Sequence, residues 1–151
     1  MTEEHKRFVI LRHDHPFLHW DFLLERDELL ESWRLLREPV LDEWIRAEKL
    51  PDHRSVYLTH EGPVSGDRGY VSRVLSGSFQ SLHGSPELSV GDAAKPLAHL
   101  SSLQLEVDLQ PEVDRKSHLS GSLVAHLVET SDGRTFWTFR PPQTCGEQSV
   151  L

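Results

Sequence analysis

The sequence predicts a mainly β fold, an antiparallel barrel or sandwich with one or two short helices. Three observations predict it: short runs of alternating or β-branched apolar residues, turn signals between those runs, and a length of 151 residues that suits one domain, taken as 1–151. A chain of this size buries a core without disulfides or a structural metal.

Arg7-Phe-Val-Ile-Leu-Arg12 is a short apolar run with β-branched residues and reads as a strand ending at His13-Asp14-His15-Pro16. Leu18 to Glu25 alternates, so that Leu18, Trp20, Phe22 and Leu24 face one way and His19, Asp21, Leu23 and Glu25 the other. Leu29 to Leu36 reads as a third strand, with helix left open. Leu41 to Leu50 suits a short helix or an irregular crossover, and Arg54 to His60 returns to strand character. Glu61 to Gly69 is a loop rich in glycine, followed by Tyr70–Leu75 and Gly77–Leu82 as two strands or one bent strand. Residues 83–96, rich in Gly, Ser and Pro, read as a flexible loop. Ser102–Leu109, Leu119–Val128 and Thr135–Phe139 alternate as three further strands, with Ser131-Asp-Gly-Arg134 as a hairpin turn. From Pro141 to Leu151 the chain reads as a frayed tail.

Composition narrows the function classes. Cys145 stands alone, which removes an internal disulfide, a Cys-type zinc knuckle and a thiol catalyst, and sets a reducing, cytoplasmic expectation. Met1 to Lys6 lacks the pattern of a secretory signal, and no apolar run approaches a membrane span. The net charge of −8 argues against a broad basic nucleic-acid surface, although a compact site that grips one terminal phosphate needs only local cations.

The chemistry concentrates at the start of the second strand. His19 and Asp21 lie two apart and project from one face, and the short turn after His13 can bring that imidazole back beside them. Two imidazoles and a carboxylate leave open positions on a divalent ion, an arrangement suited to catalytic Zn²⁺, Mn²⁺ or Fe²⁺. Spacing alone is equally consistent with a solvated strand face. The His-x-Asp pair also fits a non-haem iron oxygenase, for which His99, His118 and His126 would have to offer the distant third ligand.

The run from Arg7-Phe-Val through His13-Asp14 and Leu18-His-Trp-Asp-Phe-Leu-Leu-Glu25 to Ser32-Trp33 resembles the 3′-phosphoesterase domain of bacterial DNA ligase D. That family's equivalent run is RFVxxxHxxxxxHYDFRLE followed by SW. A second block, Asp52-His53, Tyr57 and Glu61-Gly62, resembles the family's DHPxxYxxFEG segment at the same spacing. Together the blocks cover about the first half of the chain. The resemblance implies a small antiparallel β-barrel that uses Mn²⁺, or another divalent transition metal such as Zn²⁺, to trim a 3′-terminal ribonucleotide and remove a 3′-phosphate. It assigns metal binding to His13, His19 and Asp21 and brings His53 and Tyr57 to the phosphate. It also implies a nucleic-acid 3′ end or nucleotide ester as partner, with a separate ligase or polymerase acting alongside.

The departures are specific. Leu23 stands where the family has an arginine; it shares the His19 and Asp21 face, so an arginine there is expected to reach the phosphate. Arg37 matches the family's lysine after SW and is expected to stabilise developing charge. Arg46, Arg68 and Glu25 complete the phosphate-site candidates. The expected function is therefore a metal-dependent phosphoesterase acting on nucleic-acid 3′ ends. The alternative is a weak or inactive metal-containing module that binds such ends or nucleotides, and the oxygenase ranks third.

Overall fold

The computed structural model describes residues 6–82, 102–108 and 121–142. The 83–96 loop and nearly all of the 141–151 tail lie outside the described residues. The strands are β1 (Lys6–His13), β2 (His19–Arg26), β3 (Leu29–Leu35), β4 (Ile45–Arg54), β5 (Gly62–Pro63), β6 (Tyr70–Ser81), β7 (Ser102–Val107), β8 (Ser122–Glu129) and β9 (Thr135–Arg140). Their order is β1-β2-β3-β4-β9-β8-β7-β6, and β6 pairs back onto β1. Eight antiparallel strands thus close a barrel, and β5 lies alongside the start of β6. Closure gives every barrel strand a neighbour on both sides, although β4 meets β9 only over Ile45–Ala47.

Alternation decides what enters the barrel. Trp20, Phe22 and Leu24 on β2 meet Phe8 and Ile10 on β1 and Trp137 and Phe139 on β9 in the interior. The Phe22 and Trp137 rings meet edge to face at 5.0 Å, and Trp33 meets Trp137 in the same way at 5.8 Å. The neighbouring residues point outward, yet on β1 and β2 they are also buried. Val9, Leu11 and Leu23 form a second apolar cluster with Leu30, Val64 and Val71, and Tyr57 and Leu58 pack against it. The 55–71 segment therefore covers the outer face of β1 and β2. Burial on both faces explains why Phe8 to Leu11 is an unbroken apolar run.

Several expectations need correction. Among the described residues the only helix is a single 3-10 turn, Ser55–Leu58, within the segment expected to be a strand. The strand lies upstream instead, where a helix or crossover was expected: β4 turns Ile45 and Ala47 inward and charged side chains outward. Alternating charge over so short a run does not separate helix from strand. Leu29–Leu35 is a strand, so the helical option falls, and Tyr70–Ser81 is one continuous strand with a register shift opposite Ile10 and Leu11. The turn before β9 forms as expected, with the Gly133 amide donating to the Thr130 carbonyl at 2.9 Å.

Candidate metal and phosphate site

His13 and His19 are register partners across the β1–β2 hairpin, and Asp21 follows two residues later on the same face. One imidazole nitrogen from each histidine and a carboxylate oxygen lie within 4.8 Å of one another. His19 and Asp21 are buried and His13 nearly so. They form the floor of a cleft of about 480 Å³ between the outer face of the hairpin, the end of β4 and the 55–71 segment.

Backbone carbonyls fix both rings. His13 Nε2 donates to the Arg68 carbonyl at 2.9 Å, and His19 Nδ1 donates to the Phe17 carbonyl at 2.8 Å. A carbonyl only accepts, so in the neutral rings the lone pairs fall on His13 Nδ1 and His19 Nε2. These atoms face Asp21 Oδ2 at 3.5 Å and Asp21 Oδ1 at 3.2 Å. Oδ1 is buried and has no hydrogen-bond partner among the described residues. Acceptors converging on an orphaned carboxylate oxygen require either protons or a cation between them. The donor set of two imidazoles and one carboxylate therefore fits a divalent transition metal with open positions.

Electrostatics follow from the same packing. Burial, the largest single influence, pushes the Asp21 carboxyl up. It is outweighed by the hydrogen bonds that His13 and His19 give when their facing nitrogens are protonated and by the charges of His19 and His53, which bring Asp21 down to about 2. The His13 imidazole is raised chiefly by its bond to Asp21, against the opposing effect of burial, with further support from the Arg68 carbonyl and the charges of Asp21 and Asp14.

The loop that carries the Arg68 carbonyl is held by geometry only glycine permits. Gly69 has φ +85°, and a Cβ there would collide with Asp14 Oδ1 and His15 Cβ. The next amide, of Tyr70, donates to Asp14 Oδ1 at 2.9 Å, and Val64 N–H donates to the Gly69 carbonyl at 2.8 Å. These contacts press the loop onto the turn after His13.

Of the remaining expected residues, His53, Tyr57 and Arg68 line the cleft. The His53 and Tyr57 rings meet edge to face at 5.8 Å, although the 3-10 turn, not a shared strand face, joins them. Arg37, Arg46 and Glu25 do not line it. Arg37 is bound to Glu43 at 2.7 Å and to the Trp44 carbonyl at 2.9 Å, Arg46 is an exposed β4 residue paired with Phe136, and Glu25 accepts from the Arg7 amide at 2.9 Å. Leu23 is 0 % exposed within the outer apolar cluster and does not itself line the cleft, although Leu11, Val64, Val71 and Tyr57 of that cluster do. Arg34, which sequence reasoning passed over, does line the cleft. Its signal was the alternation of β3, which puts Ser32 opposite Leu23 and Arg34 opposite Asp21.

A 60-residue stretch is 37% identical to the multifunctional non-homologous end joining protein LigD of Pseudomonas aeruginosa, covering 38% of this chain and 7% of that protein's length. The family model of the DNA ligase D 3′-phosphoesterase domain matches residues 11–119, which include the end of β1 with His13, all of β2, β4 and the covering segment. The chain belongs to the DNA ligase D 3′-phosphoesterase domain family.

Proposed function

We propose that the protein is a metal-dependent phosphoesterase that removes a phosphate or a ribonucleotide from nucleic-acid 3′ ends. The observation that carries this reading is the convergence of His13 Nδ1, His19 Nε2 and the unpartnered Asp21 Oδ1 at the floor of an open cleft. His13, His19 and Asp21 would hold a divalent ion, Mn²⁺ being the expected one, which when bound would supply Lewis-acid polarisation of a phosphoryl oxygen and a more acidic water.

The chain's own groups supply the rest. The Phe17 and Arg68 carbonyls hold both rings in orientation and, in the neutral rings, set the tautomer that leaves His13 Nδ1 and His19 Nε2 as donors to an ion. His53 Nδ1 donates to the Pro51 carbonyl at 3.2 Å, so as an imidazolium the ring would donate its Nε2 proton to the phosphate or pass it to the leaving oxygen and be left as the neutral Nδ1–H ring. Tyr57 packs edge to face on His53 and holds its ring in the cleft wall. Burial of the floor strengthens each of these interactions relative to open water.

Family membership and the partial likeness to LigD support a nucleic-acid end as substrate, with a ligase or polymerase partner sealing or extending the 3′-hydroxyl left behind. The test compares oligonucleotides that carry a 3′-phosphate, a 5′-phosphate or a single 3′-ribonucleotide, each with Mn²⁺ and with a chelator. Chelator-sensitive release from the 3′ ends alone is expected. Equal release from 5′ ends would remove the end specificity, and tight binding of 3′ ends without release would indicate a binding module.

A further inference from the structure

We infer that Arg34 is the residue that grips the substrate's phosphoryl group in this cleft, an inference that rests on the phosphoesterase reading. Arg34 is the register partner of Asp21 across β2 and β3, so its side chain leaves the sheet beside the carboxylate and on the same face. It lines the cleft, and 23% of its side chain remains accessible.

Its donors are largely unspent. Nε is buried and has no hydrogen-bond partner among the described residues. Nη1 lies 3.5 Å from Glu48 Oε1, a charge contact rather than a well-formed hydrogen bond. The guanidinium stands 5.1 Å from the centre of the Phe17 ring, and the Phe17 carbonyl is the acceptor that orients His19. One residue thus positions both a histidine of the floor and the cation beside it.

The other arginines are less suited. Arg37 is committed to Glu43 and the Trp44 carbonyl outside the cleft. Arg68 spends Nε and Nη2 on Ser65 at 2.7 and 3.2 Å. Arg54 lines the cleft but is exposed and pairs with Leu29 at the far end of β3. Charge also argues for Arg34. A divalent ion together with Arg34 would outweigh the charges of Asp21 and of Asp52, which also lines the cleft, leaving a cationic site suited to the dianion of a phosphate monoester, and the planar guanidinium fork matches two of its oxygens.

The test is calorimetric titration of thymidine 3′-monophosphate into the Mn²⁺-loaded protein and its Arg34→Gln, Arg34→Lys and Glu48→Gln variants, with unphosphorylated thymidine as control. Arg34→Gln is expected to lose tenfold or more in nucleotide affinity while keeping Mn²⁺ affinity within about twofold, because the lost bonds are charge-assisted. Arg34→Lys should fall between the two, and Glu48→Gln should hold or tighten binding. Parental affinity in Arg34→Gln would overturn the inference. So would an equal loss in Glu48→Gln, which would make Arg34 a strut for that ion pair. Should Arg34→Gln fail to fold, parental affinity in Arg34→Lys would overturn it instead. A parent that binds no Mn²⁺ would sink the metal reading, and titration of inorganic phosphate into the metal-free protein would then judge Arg34 by the same comparison.

Discussion

His13 and His19 face each other as register partners with ring centres 5.0 Å apart, and each hands its outer nitrogen to a backbone carbonyl while its inner nitrogen faces Asp21. The hairpin alone brings the donors together, and the covering loop holds His13 in orientation. Site and loop are therefore one mechanical unit.

Gly69→Ala tests that unit. The substitution adds strain at φ +85° and drives a methyl into Asp14 and His15. Stability is expected to fall by about 1–3 kcal/mol in a denaturant titration. Metal affinity should fall with it as the Arg68 carbonyl leaves His13. A variant with parental metal affinity would show that the loop does not orient the ring.

Leu23 offers a second test, of the expectation that an arginine there reaches the phosphate. The side chain is fully buried among Val9, Leu11, Leu30 and Val71. Leu23→Arg would bury a cation without a partner and should cost more than about 3 kcal/mol, where Leu23→Ala, which leaves a cavity, costs about 2–5. Thermal unfolding decides. A folded Leu23→Arg protein with improved phosphate binding would mean that the arginine snakes out between the apolar side chains.

The metal-free protein should show a pH signature. His13 is raised above 6.5, so its contribution to stability is complete below that value and is lost as pH rises through its folded value. Asp21 is lowered from 3.8 to about 2, so its contribution is present above 3.8 and is lost as pH falls towards 2. Between pH 6 and 9 the metal-free melting temperature should drop, while the rise on adding Mn²⁺ should grow, because the ion binds neutral imidazole. A metal-induced shift that does not vary with pH would argue that His13 is not a ligand.

Much of this was legible in the sequence. The alternation of β2 separated Trp20, Phe22 and Leu24 from His19 and Asp21, and the turn after His13 announced the hairpin. Sequence periodicity could not show that the outer face of β1 and β2 is itself covered. A second buried face looks like a longer apolar run, so alternation puts Leu23 on the face of His19 and Asp21 without showing that the 55–71 segment packs over it. Arg37 and Arg34 differ by three positions, and only the β3 register separates the one opposite Asp21 from the one bound to Glu43. The β4 error has the same root: its inward Ile45 and Ala47 find their partners on β9, some ninety residues away.

His53 and Tyr57 can be separated kinetically. His53→Ala should lower kcat by about 10²–10⁴-fold if the imidazole transfers a proton, with little change in metal affinity. Tyr57→Phe keeps the ring packing against His53 and should cost far less. Equal losses from both would place the phenolic hydroxyl on the substrate.

The most direct measurement is release of inorganic phosphate from a 3′-phosphorylated oligonucleotide as Mn²⁺ is titrated into the parent and Asp21→Asn proteins. Asn keeps the size of the carboxylate but removes its charge. The account predicts saturable, Mn²⁺-dependent release by the parent, and in Asp21→Asn a loss of at least a hundredfold together with weakened Mn²⁺ binding. Release by Asp21→Asn at the parental rate and metal concentration would contradict it.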